Sequence, residues 1–362
     1  MTSTRPKISV VIPCFNYRDY VAEAIGSVLS QTYSEKEIIV VDDGSTDGSW
    51  EEIQKFGDGV TALRIENSGA ARACLAGYAL STGDFVHFLD ADDYLAPGAL
   101  TQIAAVCESD VAKVQFQLAP VDGEGRSIGD VYPPLDPESS SADHIRSIKL
   151  SGTYTTPPTS GNVYRRDVIG SIGEPDYETW IDGVSYLLAP FVGRVVSIPR
   201  PLVFYRVHGR NFSAFEKLSA VRFAAERQRF MARLDHLQEL CRDLDLTGCE
   251  IGDPQAYAYV HERGLLHAIA SDRRPSLSET TRFVQRIWHE GTSPRRATVL
   301  TAWASLLWLA PWPIARRAAL LKADPWTRSF GFTLVKRFIT SGGETRMPHR
   351  RASLTASAGG VR

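Results

Sequence analysis

Little in this sequence suggests a scaffold held by covalent or metal crosslinks. Its 362 residues include only five cysteines. No CxxC pair and no His/Cys cluster at finger spacing occurs, which excludes a disulfide scaffold and a structural zinc module. The odd cysteine count predicts reduced thiols in a cytosolic setting. Met1 to Lys7 is polar and runs straight into a strand-like stretch, so no signal peptide is expected. No GxGxxG follows the first expected strand, which removes a dinucleotide oxidoreductase. A clean spanning helix of about 20 apolar residues is also missing. The uncharged stretch between Arg296 and Arg316 is broken by Pro311 and Pro313.

What is present is a globular chain. Hydrophobic residues make up 43%, enough for a proper core, and the length calls for two regions or one domain with a long extension. The net charge of −2 hides an asymmetry. Residues 1–210 carry 17 Lys/Arg and 28 Asp/Glu, whereas residues 211–362 carry 23 and 14. A basic C-terminal part favours an anionic surface.

Apolar β-branched runs alternate with helical patterns. Strands are expected at Ile8–Pro13, Glu37–Val41, Val60–Ile65, Phe85–Leu89 and Val111–Leu118. Helices are expected over Tyr20–Gln31, capped by Asp19, over Ala70–Leu80, stopped by Gly83, and from Pro97 to about Glu108. This alternation predicts an α/β fold with a mostly parallel sheet flanked by helices, with ligands beyond the strands' carboxyl ends. Residues 119–160 are rich in Pro, Gly, Ser and Asp and read as a long loop. Short strands follow at Val195–Ile198 and Leu202–Tyr205, then helices over Phe215–Arg242, Pro254–Ala270 and Leu277–Glu290. The expected organisation is a catalytic domain at 1–210, a helical extension at 211–292, a Trp-rich segment at 293–342 and a disordered tail at 343–362.

Three clusters fall at strand ends: Pro13 to Phe15, Asp42/Asp43 and Asp90 to Asp93. Asp90 and Asp92 stand at i and i+2 directly after an apolar strand. Such a pair can meet Mg²⁺ or Mn²⁺, which prefers oxygen ligands and shares them with substrate phosphates. Helix capping is the plainer role for these acids, and for Asp42/Asp43 as well.

Ile8-Ser-Val-Val-Ile-Pro-Cys-Phe-Asn16, Ser27-Val-Leu-Ser-Gln-Thr32, Glu37 to Asp47 and Phe88-Leu-Asp-Ala-Asp-Asp93 together resemble a family 2 glycosyltransferase with the GT-A fold, over about residues 7–210. The resemblance implies an inverting transfer from a nucleotide-sugar donor to an acceptor hydroxyl, on a glycan or lipid-linked acceptor, in surface-polysaccharide assembly. It implies that Pro13, Phe15 and Asp43 hold the nucleotide base, and that Asp90 and Asp92 reach the ribose and a Mg²⁺ or Mn²⁺ ion, with Asp92 as metal ligand. Thr159-Ser-Gly-Asn162 resembles the family's glycine loop, which carries Gly161 into the donor site. Trp180-Ile-Asp182 stands where the family has its general base, ahead of Gly193 and Tyr205-Arg-Val-His208. Asp182 therefore matches the base, and His208 a metal-ligating histidine. A helix cap before Val184 is the alternative for Asp182, and a structural role for His208. Ile181 replaces the usual acidic neighbour. Ala70 and Leu75 replace polar residues of the family's Asn-Gly-Gly-Gln segment. Arg72 either reaches the diphosphate or lies on a solvated helix face.

Residue types agree with that chemistry. A divalent ion offsets the charge developing on a leaving diphosphate, so no protein acid is needed there. One carboxylate must accept the acceptor's proton. A nucleotide-sugar pyrophosphorylase would want a Gly-rich basic loop after strand one, where this chain has Cys14-Phe-Asn-Tyr17. A non-catalytic nucleotide-binding or membrane-scaffold descendant is opposed by the four retained acids.

The segment from Arg296 to Arg316 carries Trp303, Leu306, Leu307, Trp308, Leu309, Trp312 and Ile314 between arginine pairs. It is expected to touch an anionic membrane surface peripherally, at the inner face of the plasma membrane, with packing as an internal helical hairpin the alternative. Nucleic acid is a poor partner, because the aromatics are not interleaved with basic residues.

Overall fold

The computed structural model describes residues 5–208 and 218–323. The expected tail at 343–362 and part of the Trp-rich segment lie outside them. The apolar runs form the expected strands: β1 (Ile8–Cys14), β2 (Lys36–Asp42), β3 (Thr61–Arg64) and β4 (Phe85–Phe88). They run parallel in the order β3-β2-β1-β4. Between them lie α1 (Val21–Leu29), α2 (Ser49–Gln54) and α3 (Ala70–Leu80). Val10, Ile12, Ile38 and Val40 face one core, and Val11, Ile39 and Val41 face the other, so the period of two covers both faces of the sheet.

Beyond β4 the sheet becomes mixed. The short β5 (Tyr94–Leu95) and α4 (Ala99–Ala104) precede β6 (Val111–Val121). α5 (Ser141–Ser151), β7 (Asn162–Arg165), α6 (Arg166–Ser171), α7 (Asp182–Val192) and β8 (Arg194–Arg206) follow. β7 inserts antiparallel between β4 and β6, β8 runs parallel to β6, and β5 closes the edge antiparallel to β8.

Several expectations need correction. Residues 119–160 are not one long loop. α5 forms within them, capped by Ser140, whose hydroxyl accepts from the Asp143 backbone while Asp143 answers to the Ser140 backbone. β8 is one strand rather than two. Its two prolines cannot donate to the ladder, and the register jumps from Phe116–Ile198 to Gln117–Pro201, so Pro199 and Arg200 bulge. Asp19 is not the cap of α1, which starts after Tyr20 with no side-chain cap. α3 ends at Ser81, and Gly83 instead lies against Ser9 and the Lys7 carbonyl.

α8 (Ala220–Asp243), α9 (Ala258–Ala270) and α10 (Leu277–His289) complete the chain's helical half, with α11 (Pro294–Leu309) and α12 (Trp312–Ala323). The boundary expected at 210 falls in undescribed residues. Phe230, Leu234 and Leu237 of α8 share a core with Val184, Leu187 and Leu188 of α7, so α8 belongs to the sheet's own packing. A third cluster joins Leu265, Leu266, Phe283, Ala304, Leu307, Ala315 and Ala319.

The expectation of five reduced thiols is also overturned. Cys241, in the last turn of α8, is bonded to Cys249 just beyond it, with 6.1 Å between their Cα atoms. The tight turn after α8 brings them within disulfide reach. Cys14, Cys74 and Cys107 are free and buried.

Candidate active site

The strand ends meet as one platform. The Asp43 backbone donates to the Cys14 carbonyl at 2.8 Å, tying β1 to the turn after β2. Asn16 accepts from Thr46 N at 2.8 Å, and its own N–H donates to Ser45 Oγ at 3.0 Å. Phe15 is left 44% exposed beside these bonds, a ring face open to a planar ligand. Pro13 is half-buried at the strand's end.

Asp43 has a role that the sequence did not reveal. Its Oδ1 accepts from the Ser68 backbone at 2.7 Å and its Oδ2 from Gly69 N at 2.9 Å. The carboxylate therefore fixes the segment that leads into α3. Two hydrogen bonds to main-chain N–H groups leave lone pairs for one more donor. A cleft of about 240 Å³ opens there, bounded by Ser68, Gly69 and Arg72 on one side and Asp176, Trp180 and Ile181 on the other. Arg72 is exposed and borders the cleft.

The acids after β4 are held from three directions. Asp90 N donates to Ser160 Oγ at 3.1 Å, and His87 Nε2 lies 2.9 Å from the Ser160 carbonyl. Burial, then the nearby Asp92 and Asp182 charges, push the Asp90 carboxyl well above the usual carboxylate range. Asp90 therefore feels both the expected metal ligand and the expected base. Asp93 Oδ1 accepts from Arg206 N at 2.9 Å.

Arg206 is a residue beneath this site that residue-type reasoning missed. Its side chain is buried. Nε donates to the Asp92 carbonyl at 2.9 Å, Nη1 to the Gly123 carbonyl at 2.6 Å, and Nη2 pairs with Glu23. Its guanidinium lies 4.9 Å from the Tyr20 ring and 5.2 Å from the Tyr94 ring. It is a bolt under the Asp90–Asp93 turn. Its place in Tyr205-Arg-Val-His208 is the signal that could have found it.

His208 comes to Asp92. Nε2 lies 3.0 Å from Asp92 Oδ2, both side chains are 8% exposed, and the imidazole stacks on Tyr20 at 4.8 Å. Among the described residues no three His, Cys, Asp or Glu side chains converge on a metal. Asp92 and His208 are thus two donors of an incomplete set, which suits an ion completed by substrate phosphates and water. The 3.0 Å contact is a hydrogen bond between them, and a cation held by both would take the place of its proton. The pair fits Mg²⁺ or Mn²⁺.

Asp182 opens α7 beside Thr159. Burial raises its carboxyl above the usual range, and Arg233, Lys113 and the Thr159 hydroxyl pull it back. Gly161 is buried in the turn that carries Thr159 and Ser160. A Cβ there would lie 2.5 Å from Pro157 Cβ and 3.0 Å from the Phe116 carbonyl. Its observed role is to let that turn pass close to β6. Lys113 of β6 is fully buried, with Nζ bonded to Gln115 (3.0 Å), Tyr154 (3.2 Å) and Thr156 (2.7 Å). Burial holds its amine well below the usual lysine range.

Residues 9–173 match glycosyl transferase family 2. That stretch includes the platform, Asp90 and Asp92 but ends before Asp182 and His208. An uncharacterized glycosyltransferase of Nostoc sp. is 37% identical over 213 residues, 57% of this chain and 66% of its own length. The putative teichuronic acid biosynthesis glycosyltransferase TuaG of Bacillus subtilis is 39% identical over 97 residues, 26% of this chain and 38% of its own. The chain thus spans less than two thirds of either relative. The crystal structure of S. aureus TarS in complex with UDP-GlcNAc superposes with a TM-score of 0.51 at 18% identity, covering 90% of this chain and 91% of that one. It has the same fold. Residues 9–173 thus carry the likeness to glycosyl transferase family 2, and the rest of the chain lies outside that match.

Proposed function

We propose that this protein transfers a sugar from a nucleotide-sugar donor to an acceptor hydroxyl with inversion. The reading rests on one observation: Asp92 and His208 meet at 3.0 Å beside Asp90, whose carboxyl also feels Asp182. Metal-binding and base candidates thus share one field at the strand ends. The complex of TarS with UDP-GlcNAc, on the same fold, supports a nucleotide-sugar donor. The name of TuaG supports an acceptor in polysaccharide assembly, a glycan or its lipid-linked precursor.

In this reading Pro13, Phe15 and Asp43 receive the nucleotide base. Gly161 sets the turn beneath the sugar. Asp92 and His208 would hold Mg²⁺ or Mn²⁺, which would supply positive charge to the leaving diphosphate. Arg206 keeps the Asp92 turn in place. Asp182 accepts the proton of the acceptor hydroxyl as its oxygen bonds to the anomeric carbon. The bond to the diphosphate breaks on the opposite face, and the electron pair leaves with the phosphate oxygen. Arg233, Lys113 and Thr159 favour its ionised form despite burial.

Asp182→Asn decides the role of the base. Nucleoside diphosphate affinity should stay within about twofold, while turnover from the best of a sugar-nucleotide panel falls ~10²–10⁴. Unchanged turnover would leave Asp182 as a helix-start residue only.

A further inference from the structure

We infer that the α11–α12 hairpin carries a docking face for an anionic lipid surface. One side of α11 packs inward: Ala297, Ala304 and Leu307 are buried, the latter two against the cluster that includes Leu265, Leu266 and Phe283. The opposite side does not. Arg295, Val299, Ala302, Leu306 and Leu309 recur at alternating steps of four and three, which puts them on one stripe. Val299 is 49% exposed, Leu306 46% and Leu309 67%. At the stripe's flank Trp288 of α10 is half exposed, with its indole N–H donating to Thr301 of α11. Across the turn Ile314 is exposed as well. A folded chain that already has an inner apolar face for this hairpin has no packing need for an outer one.

Charge selects the occupant. From Pro294 to Ala323 the hairpin holds Arg295, Arg296, Arg316, Arg317 and Lys322, and no Asp or Glu. Arg316 is paired with Asp272 at 2.8 Å and Lys322 with Glu262 at 3.2 Å, so Arg296 and Arg317 are the two that matter here. The arginine pairs stand near opposite ends of the uncharged run. A second copy docked through the same stripe would gather the cations of two hairpins with no hairpin carboxylate between them. A membrane with anionic headgroups meets both features at once: apolar side chains enter the headgroup boundary while arginines stay at the phosphates. Among the described residues no helix is long and apolar enough to cross a membrane, so the contact is interfacial.

Deleting the hairpin would uncover Leu265, Leu266 and Phe283, so the test uses surface substitutions in the full chain. The readout is flotation with vesicles of equimolar phosphatidylcholine and phosphatidylglycerol, against phosphatidylcholine alone, at low and high salt. The wild-type chain should float with the anionic vesicles at low salt and be released as salt rises. Leu306→Ser with Leu309→Ser should weaken binding at least ~10-fold. Arg296→Gln with Arg317→Gln should weaken it ~25-fold, about fivefold per charge. Unchanged melting curves would show that both variants are folded. The inference is overturned if wild type stays unbound to anionic vesicles at low salt, or if the leucine variant floats as well as wild type. A wild-type dimer that the leucine variant splits, with no flotation, would overturn it in favour of contact between copies.

Discussion

Arg233 on α8 grips Glu178, four residues ahead of Asp182. Nη2 donates to Oε1 at 2.8 Å, Nε pairs with Oε2, and the Glu178 side chain is only 2% exposed. Glu178 also accepts from Thr179 N at 2.8 Å. A carboxylate so fully engaged is a poor acceptor for a substrate proton, which favours Asp182 over Glu178 in the base role proposed above. The pair also anchors the loop entering α7 to the helical half of the chain.

Gly183 is where this anchoring leaves no room. A Cβ there would fall on Glu178 Oε2 and lie 2.8 Å from Arg233 Nε. Gly183→Ala should therefore push the ion pair away from α7, lower stability by about 1–3 kcal/mol and displace the neighbouring Asp182. Thermal unfolding and turnover, measured on one preparation, should both fall. An alanine variant with wild-type values would mean that the loop yields freely.

Asp92→Ala should remove Mn²⁺-dependent binding of a nucleoside diphosphate, and His208→Ala should weaken it ~10–100-fold. The asymmetry follows from charge: the carboxylate neutralises the ion, whereas the imidazole only completes its shell. Calorimetry with and without Mn²⁺ checks both. Equal affinity in Asp92→Ala with Mn²⁺ present would refute the assignment.

Glu37 carries a pH-dependent part of stability. Burial pushes its carboxyl up, but hydrogen bonds from Lys7, Ser9 and Thr82 outweigh this and bring it down to about 2. A carboxyl depressed from its model-peptide value of ~4.3 stabilises the fold above that value and loses the contribution as pH falls toward 2. The gap corresponds to up to about 3 kcal/mol. Glu37→Gln should lower the melting temperature at pH 7, and the difference from wild type should shrink steadily between pH 4.5 and 2.5.

Thiol titration in denaturant should find three reactive cysteines before reduction and five after, given the Cys241–Cys249 bond. Reduction should cost about 2–3 kcal/mol, as expected for opening a short loop. Five thiols before reduction would mean that the bond does not form in the isolated protein.

Legibility in the sequence followed the length of the signal. Ile8–Cys14 and Lys36–Asp42 are β-branched runs, the first ending in Pro13-Cys14 and the second in turn acids, so both strand and site stood out. β7 did not, because Asn162–Arg165 is four residues long and carries two polar ends. α5 was hidden by a composition that reads as loop, although Ser140 and Asp143 already spelled a capping box. Pro199 and Pro201 disguised one bulged strand as two. At the site, the sequence marked Asp90, Asp92, Asp182 and His208. It carried no sign that Asp43 clamps Ser68 and Gly69, since that contact joins two loops only after the sheet has formed. The inner packing of α11 and its outer stripe were also indistinguishable beforehand: the run is apolar on both sides, and only the neighbouring helices decide which side is covered.

The position of Arg206 has a consequence for the order in which the molecule is completed. The platform of Pro13, Asp43 and Gly69 uses strands that pair within the first ninety residues. The Asp90–Asp93 turn is instead braced by an arginine at the far end of the last strand, across 114 residues from the Asp92 carbonyl. Contacts of such separation form late, because loop closure comes before any return from them. A chain emerging from the ribosome would own the Pro13, Asp43 and Gly69 platform long before the Asp90–Asp93 turn is braced, so the function proposed above would wait until β8 had docked.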